Sequence, residues 1–314
     1  MHNLKTMLRK TLLKSITAAM LLGATTVVAE ERTFVETFIS QVKENNQFVT
    51  VGDIWAPDNN FDMKEMRKIV DNAQPLSIDY ARLSSLVQKK PYAISLVLPG
   101  ADGKTYTIEM AQYQVLSNDF EVHARGANNS DKKVDYTPGV YYRGVVKGAP
   151  GSVAAFSFFN NEVWGIFSIP GVGNIVVAPN TMVGNEYDYN PSYVLYNDQD
   201  LKIQPAGEVC GTDHLPVIER NTAAKTTTTL NNKVYNSCKQ IRWYHVADYA
   251  MFVRKGSSTT NCTNYITSLF NNNGVVYMNE GVPIQLKYVQ INTATDEYQS
   301  LPTNSSSAWL SKFG

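Results

Sequence analysis

Ile241-Arg242-Trp243-Tyr244-His245-Val246-Ala247-Asp248, the run from Thr259 to about Tyr277, and Val282-Pro283-Ile284-Gln285-Leu286-Lys287-Tyr288-Val289-Gln290-Ile291 decide how this chain is read. The first is rich in β-branched and aromatic residues and closes on an aspartate suited to turning the chain, so it predicts a strand. The second sets Tyr265, Ile266, Leu269, Phe270 and Tyr277 on one face of a helix. Its Asn271-Asn272-Asn273-Gly274 stretch forms helix weakly, and the helix is expected to fray or end there. The third predicts a second strand. Strand, helix, strand is the opening of an α/β layer.

Upstream the pattern is β. Ala93-Ile94-Ser95-Leu96-Val97-Leu98, the turn Pro99-Gly100-Ala101-Asp102-Gly103 and Tyr106-Thr107-Ile108-Glu109-Met110 read as a hairpin. Asp119–Ala124, Ile175–Pro179 and Tyr193–Tyr196 add strands. Tyr141–Ser157 followed by Val163–Ile169 reads as three strands joined by tight turns, with Gly144, Gly148, Gly151 and Gly165 where a turn or a close backbone approach favours a residue without Cβ. Met63, Met66, Ile69 and Val70 predict a short amphipathic helix over Asp62–Ala73, whereas Glu31–Asn60 mixes apolar runs with polar turns. Glu219–Asn232, with its Thr226–Thr229 run, has no apolar periodicity and reads as a linker open to proteolytic processing.

The chain has 314 residues, 43% hydrophobic and 18% charged, enough for about two domains with a core. Its 28 basic and 28 acidic residues cancel, which removes the electrostatic case for nucleic acid or an anionic membrane as partner. Lys5, Arg9, Lys10 and Lys14 precede the apolar run Ile16–Ala24, and Val27-Val28-Ala29 offers small residues for cleavage. That layout predicts a Sec signal over residues 1–29, hence a secreted, periplasmic or cell-surface protein with no membrane span once the signal is removed. Three cysteines, Cys210, Cys238 and Cys262, leave one unpaired in an oxidising compartment. Cys238 and Cys262 can pair with each other, or one or both can pair with cysteines beyond residue 314. Cys210 can sit in a disulfide, stay a buried thiol or, with His214, form half of a metal site that no second His/Cys pair completes.

In order, type and wording, Gln240–Gly314 resembles the start of the catalytic domain of reprolysin-like (adamalysin, M12B-type) zinc metalloproteases of the metzincin group. Tyr141–Ser157 followed by the glycine-containing strand Val163–Ile169 likewise resembles their propeptide, with its Y-x-G-x-V-x-G-x-x-x-S-x-V-A-x-S spacing of glycines and serine. The resemblance implies a β-rich propeptide domain over 30–218, a processing linker at 219–233, and at 234–314 the first strand-helix-strand of an α/β (α+β) catalytic domain, truncated. It implies a secreted zymogen that hydrolyses peptide bonds of protein or peptide substrates with zinc-activated water and is inhibited intramolecularly by its own propeptide. Cys210, in Glu208-Val209-Cys210-Gly211-Thr212-Asp213-His214, falls where such propeptides carry a cysteine switch, making its thiolate a candidate zinc ligand, with Gly211 letting the backbone pass close to the cleft. The H-E-x-x-H-x-x-G-x-x-H motif that supplies zinc ligands and general base in those enzymes is not in this chain, so no catalytic residue is assigned. The end at Trp309-Leu310-Ser311-Lys312-Phe313-Gly314 is expected not to be a natural terminus. The alternative reading is a non-catalytic exported β-rich binding or inhibitor-like protein.

Overall fold

The computed structural model describes residues 32–52, 54–180, 192–202, 240–301, 305, 308, 311 and 312. The expected signal at 1–29 and the linker at 219–233 lie outside the described residues. Thr33–Gly314 form one compact unit. Among the described residues there are fourteen strands and few helices, so the fold is β-rich.

A ten-stranded sheet is the larger layer. Its strands are β1 (Val49–Val51), β2 (Trp55–Pro57), β3 (Ala73–Ile78), β4 (Ala93–Pro99), β5 (Thr105–Gln112), β8 (Val140–Val146), β9 (Val153–Phe158), β10 (Val163–Ile169), β11 (Gly173–Pro179) and β12 (Tyr193–Asn197). They lie in the order β1-β4-β5-β8-β9-β10-β11-β12-β3-β2. Alternation along the strands sends Leu96, Ile108, Met110, Tyr142, Phe156, Phe158, Phe167 and Val177 into one core, which the curled sheet shares with Trp55 and with Leu83 and Leu86 of helix α2 (Tyr80–Lys89). The other face takes helix α1 (Phe34–Asn45), whose Val35, Ile39 and Val42 are buried. Thr33 and Glu36 close a capping box at its start: the Glu36 N–H donates to Thr33 Oγ1 at 3.2 Å and the Thr33 N–H to Glu36 Oε2 at 2.9 Å.

The smaller sheet has four strands, in the order β13-β14-β6-β7. Strand β13 (Ile241–Ala247) leads through helix α3 (Tyr249–Arg254) and helix α4 (Thr259–Asn279) to β14 (Ile284–Asn292), and the two strands pair in parallel. β14 pairs in parallel on its other side with β6 (Leu116–Arg125), which pairs antiparallel with β7 (Asp131–Val134). Strand-helix-strand is therefore present at the expected place, and its sheet is completed by strands from far upstream.

Asp119 fastens this joint from outside, where Arg242 of β13 and Lys287 of β14 both meet its carboxylate. The Arg242 guanidinium first, then Lys287 and Ser117, hold the Asp119 carboxyl well below the usual carboxylate range. A carboxyl depressed on folding contributes its full stabilisation above its unfolded pKa of about 3.9 and loses it progressively as the pH falls through its lower folded value. The Asp119→Asn variant is therefore expected to melt slightly below the wild type at pH 6, with the gap narrowing towards pH 2, in thermal melts at low salt. A gap as wide at pH 2 as at pH 6 would rule out the ionic clamp.

Four local expectations are corrected. Asp62–Ala73 is not a helix: only Met66–Lys68 form a 3₁₀ turn, and Ala73 already opens β3. Its backbone is taken elsewhere, with the Asp71 N–H donating to Asp200 O and Ile69 O accepting from the Lys202 N–H. Glu31–Asn60 contains a regular helix, α1, and Tyr80–Lys89 is helical inside a stretch read as strands. Helix α4 neither frays nor ends at Asn271–Gly274 but runs to Asn279.

Candidate functional site

Helix α4 is where the two halves of the expected precursor meet. Ten of its residues are buried: Ile266, Phe270, Val275 and Cys262 are joined by Gly274 and by five polar residues, Thr263, Asn264, Thr267, Ser268 and Asn271. A helix laid on a sheet normally buries an apolar stripe. Here about half of the buried face is polar: Asn264, Thr267 and Asn271 bond across the seam to Glu162, Tyr136 and strands β8 and β9, while Thr263 and Ser268 donate back to Thr259 O and Tyr265 O of their own helix.

Asn271 is the centre of one cluster. Its Nδ2 donates to Phe156 O at 3.1 Å, Ser157 Oγ at 3.2 Å and Tyr142 O at 3.4 Å, while its Oδ1 accepts from Arg143 Nε at 3.0 Å. These bonds explain why the helix continues through a run of asparagines: tertiary partners outweigh weak propensity. The Arg143 guanidinium lies 4.0 Å from the centre of the Tyr113 ring, and Arg143 is 1% exposed. Burial pushes its pKa down to about 10.

Asn264 is the centre of a second cluster, about two turns nearer the helix start. Its Nδ2 donates to Glu162 Oε1 at 2.7 Å, Glu162 Oε2 accepts from Trp164 Nε1 at 3.0 Å, and Tyr136 Oη donates to Asn264 Oδ1 at 2.9 Å. Lys255, just before α4, holds its ammonium 3.5 Å over the Tyr265 ring and 5.1 Å from that of Trp164. Replacing Asn264 by Ala takes one hydrogen-bond partner from the Glu162 carboxylate and one from the Tyr136 hydroxyl, and is expected to destabilise the protein by about 2 kcal/mol. A urea midpoint unchanged from the wild type would show that these bonds are already exchanged for water.

The residues singled out in the sequence fare unequally. Cys210 and Cys238, like His214, lie outside the described residues. Cys262 is a buried free thiol at 0% exposure, and burial pushes it up to about 12, which makes it inert as a nucleophile. Asp248 turns the chain as expected and does so as a helix N-cap, accepting from the Met251 N–H at 2.7 Å. His245 is partly buried in β13, and burial lowers its pKa. His123 sits in β6 with Nδ1 2.9 Å from Asp131 and its ring tilted against that of Tyr288, 4.8 Å between centres. Among the described residues no group of three or more His, Cys, Asp and Glu side chains is placed to hold a metal ion. No helix among them is long and apolar enough to cross a membrane.

The sequence reading missed the seam. Its signal was the polar half of α4, Thr263, Asn264, Thr267, Ser268 and Asn271, at helical spacing beside the apolar residues. No protein-family model matches the chain and no curated protein matches its sequence, so function rests on the residues and their geometry.

Proposed function

We propose that this chain is the first part of a secreted zinc metalloendopeptidase precursor of the reprolysin-like type, in which residues 33–202 belong to a propeptide that holds residues 240–301, the opening of the catalytic domain. The observation that carries this is the polar seam under α4. Two pieces built to remain together for good bury apolar surface, whereas a face whose Asn264, Thr267 and Asn271 bond across a joint when closed is also well hydrated when open. Such a face suits a holder that is later removed. Strand β6 adds to the same effect, because it supplies β14 with main-chain partners that a departing propeptide would take away.

The wording of Ile241–Asp248, of Val282–Ile291 and of the glycine-spaced block Tyr141–Ser157 supports the family within this reading. The described residues do not provide a zinc donor set; zinc and its ligands belong, on this reading, to sequence downstream of Gly314. Cys210 is proposed as the propeptide thiolate that would cap that zinc. The reading frame after codon 314 tests the proposal. An H-E-x-x-H motif downstream, with chelator-sensitive peptidase activity that rises in the Cys210→Ser protein, is the expected result. A stop codon in its place, with no such activity, overturns it.

A further inference from the structure

Arg143 carries a charge deep in the seam without a counter-charge. Its Nε is bonded to Asn271 and its face is against Tyr113, yet Nη2 is buried with no hydrogen-bond partner, and no carboxylate pairs with the guanidinium among the described residues. Helix α4 is what seals it. A methyl group added at Gly274 would overlap Nη2, so the helix backbone lies directly against the charged group. Burying an ion is unfavourable unless an opposite charge and hydrogen bonds compensate it. The ring of Tyr113 and the carbonyl of Asn271 compensate Arg143 in part. A small outward movement of α4 would let water complete the solvation.

We infer that Arg143 is a built-in release element: its incompletely solvated charge opposes the docking of α4 on β8 and β9 and sets how readily the seam opens. Its use in shedding a propeptide rests on the zymogen reading above, while the opposition itself follows from the burial and the missing partner. The bonds that Asn264 and Asn271 make across the seam keep the closed state. The lone cation keeps that state shallow.

Glutamine is the discriminating replacement, because its side-chain nitrogen stands the same number of bonds from Cα as arginine Nε. Arg143→Gln can therefore keep the bond to Asn271 Oδ1 while removing the charge and Nη2, and the neutral carbonyl it introduces is cheaper to bury than an ion. Hydrogen exchange of the α4 amides in the otherwise unchanged chain reads seam opening. Arg143→Gln is expected to slow exchange at Ile266–Val275 at least ten-fold. Gly274→Ala alone, which pushes a methyl into Nη2, is expected to speed it, and Arg143→Gln/Gly274→Ala, where the methyl enters vacated space, to be slowest. Exchange in both Arg143→Gln proteins as fast as wild type or faster overturns the inference. A stop codon after Gly314 would sink the zymogen reading and leave these exchange rates as they are, so the two failures are distinct.

Discussion

Residues 240–314 produced alone are expected to show no cooperative urea transition, and a separately produced 33–202 fragment added in trans is expected to restore one. The described residues of the segment supply one pair of strands, β13 and β14, with the short helix α3 and the long helix α4. A two-stranded sheet is marginal in water even before its covering is removed. Leu286, Val289 and Ile291 of β14 are 0% exposed in the whole chain, and β14 is covered on one edge by β6. Removing residues 33–202 bares that edge, unpairing the main chain along Leu286–Asn292 and inviting association with other strands. It also uncovers the apolar members of the α4 face, at about 1.5–3 kcal/mol for each large side chain returned to water. Against a typical net stability of about 5–15 kcal/mol, the loss of a few such side chains and a strand is decisive. Near-ultraviolet circular dichroism through a urea titration gives the measurement. A sharp, concentration-independent transition for 240–314 alone would mean that the segment is a domain in its own right and needs no holder.

Much of the β framework was legible because period-2 alternation and turn residues act locally. The hairpin of β4 and β5 follows from Ala93–Leu98, the Pro99–Gly103 turn and Tyr106–Met110, and β8, β9 and β10 fall inside the glycine-spaced block. What local pattern could not give was the partner of each strand. Asp119–Ala124 reads as one more strand of the upstream sheet, yet β6 joins the downstream one, because β14 offers an open parallel edge after the chain has crossed over. Helix α1 was hidden by Phe34, Val35, Phe38 and Ile39, which look β-prone one by one; the Thr33–Glu36 capping box was the readable sign of a helix start. The seam was hidden for a different reason. Asn264 and Asn271 are ordinary solvent-facing residues until a second surface supplies Glu162, Tyr136 and Arg143, and that surface lies more than a hundred positions upstream.

Gly144→Ala is expected to be among the most damaging single-methyl substitutions in the protein, at least about 3 kcal/mol. Gly144 lies in β8 at the register position opposite Met110, and a Cβ there would collide with the carbonyl oxygen of Glu109 and come within 2.7 Å of Met110 Cα. Both are backbone atoms of the neighbouring strand, so no side chain can swing aside; β5 and β8 would have to part at the place where Arg143 and Val145 carry α4 and α1. For a domain of this size the thermal midpoint should fall by about 6–12 °C. Gly148 supplies the control four residues on. It has φ +80°, with nothing within 4 Å of an added Cβ, so alanine there meets only the left-handed backbone penalty of about 1 kcal/mol. The sequence marks both glycines alike, and only the structure separates a glycine needed for close approach from one needed for its turn. Melting curves in which Gly148→Ala falls as far as Gly144→Ala would show that β5 and β8 tolerate the methyl by sliding apart, and that the joint under Arg143 is softer than its packing implies.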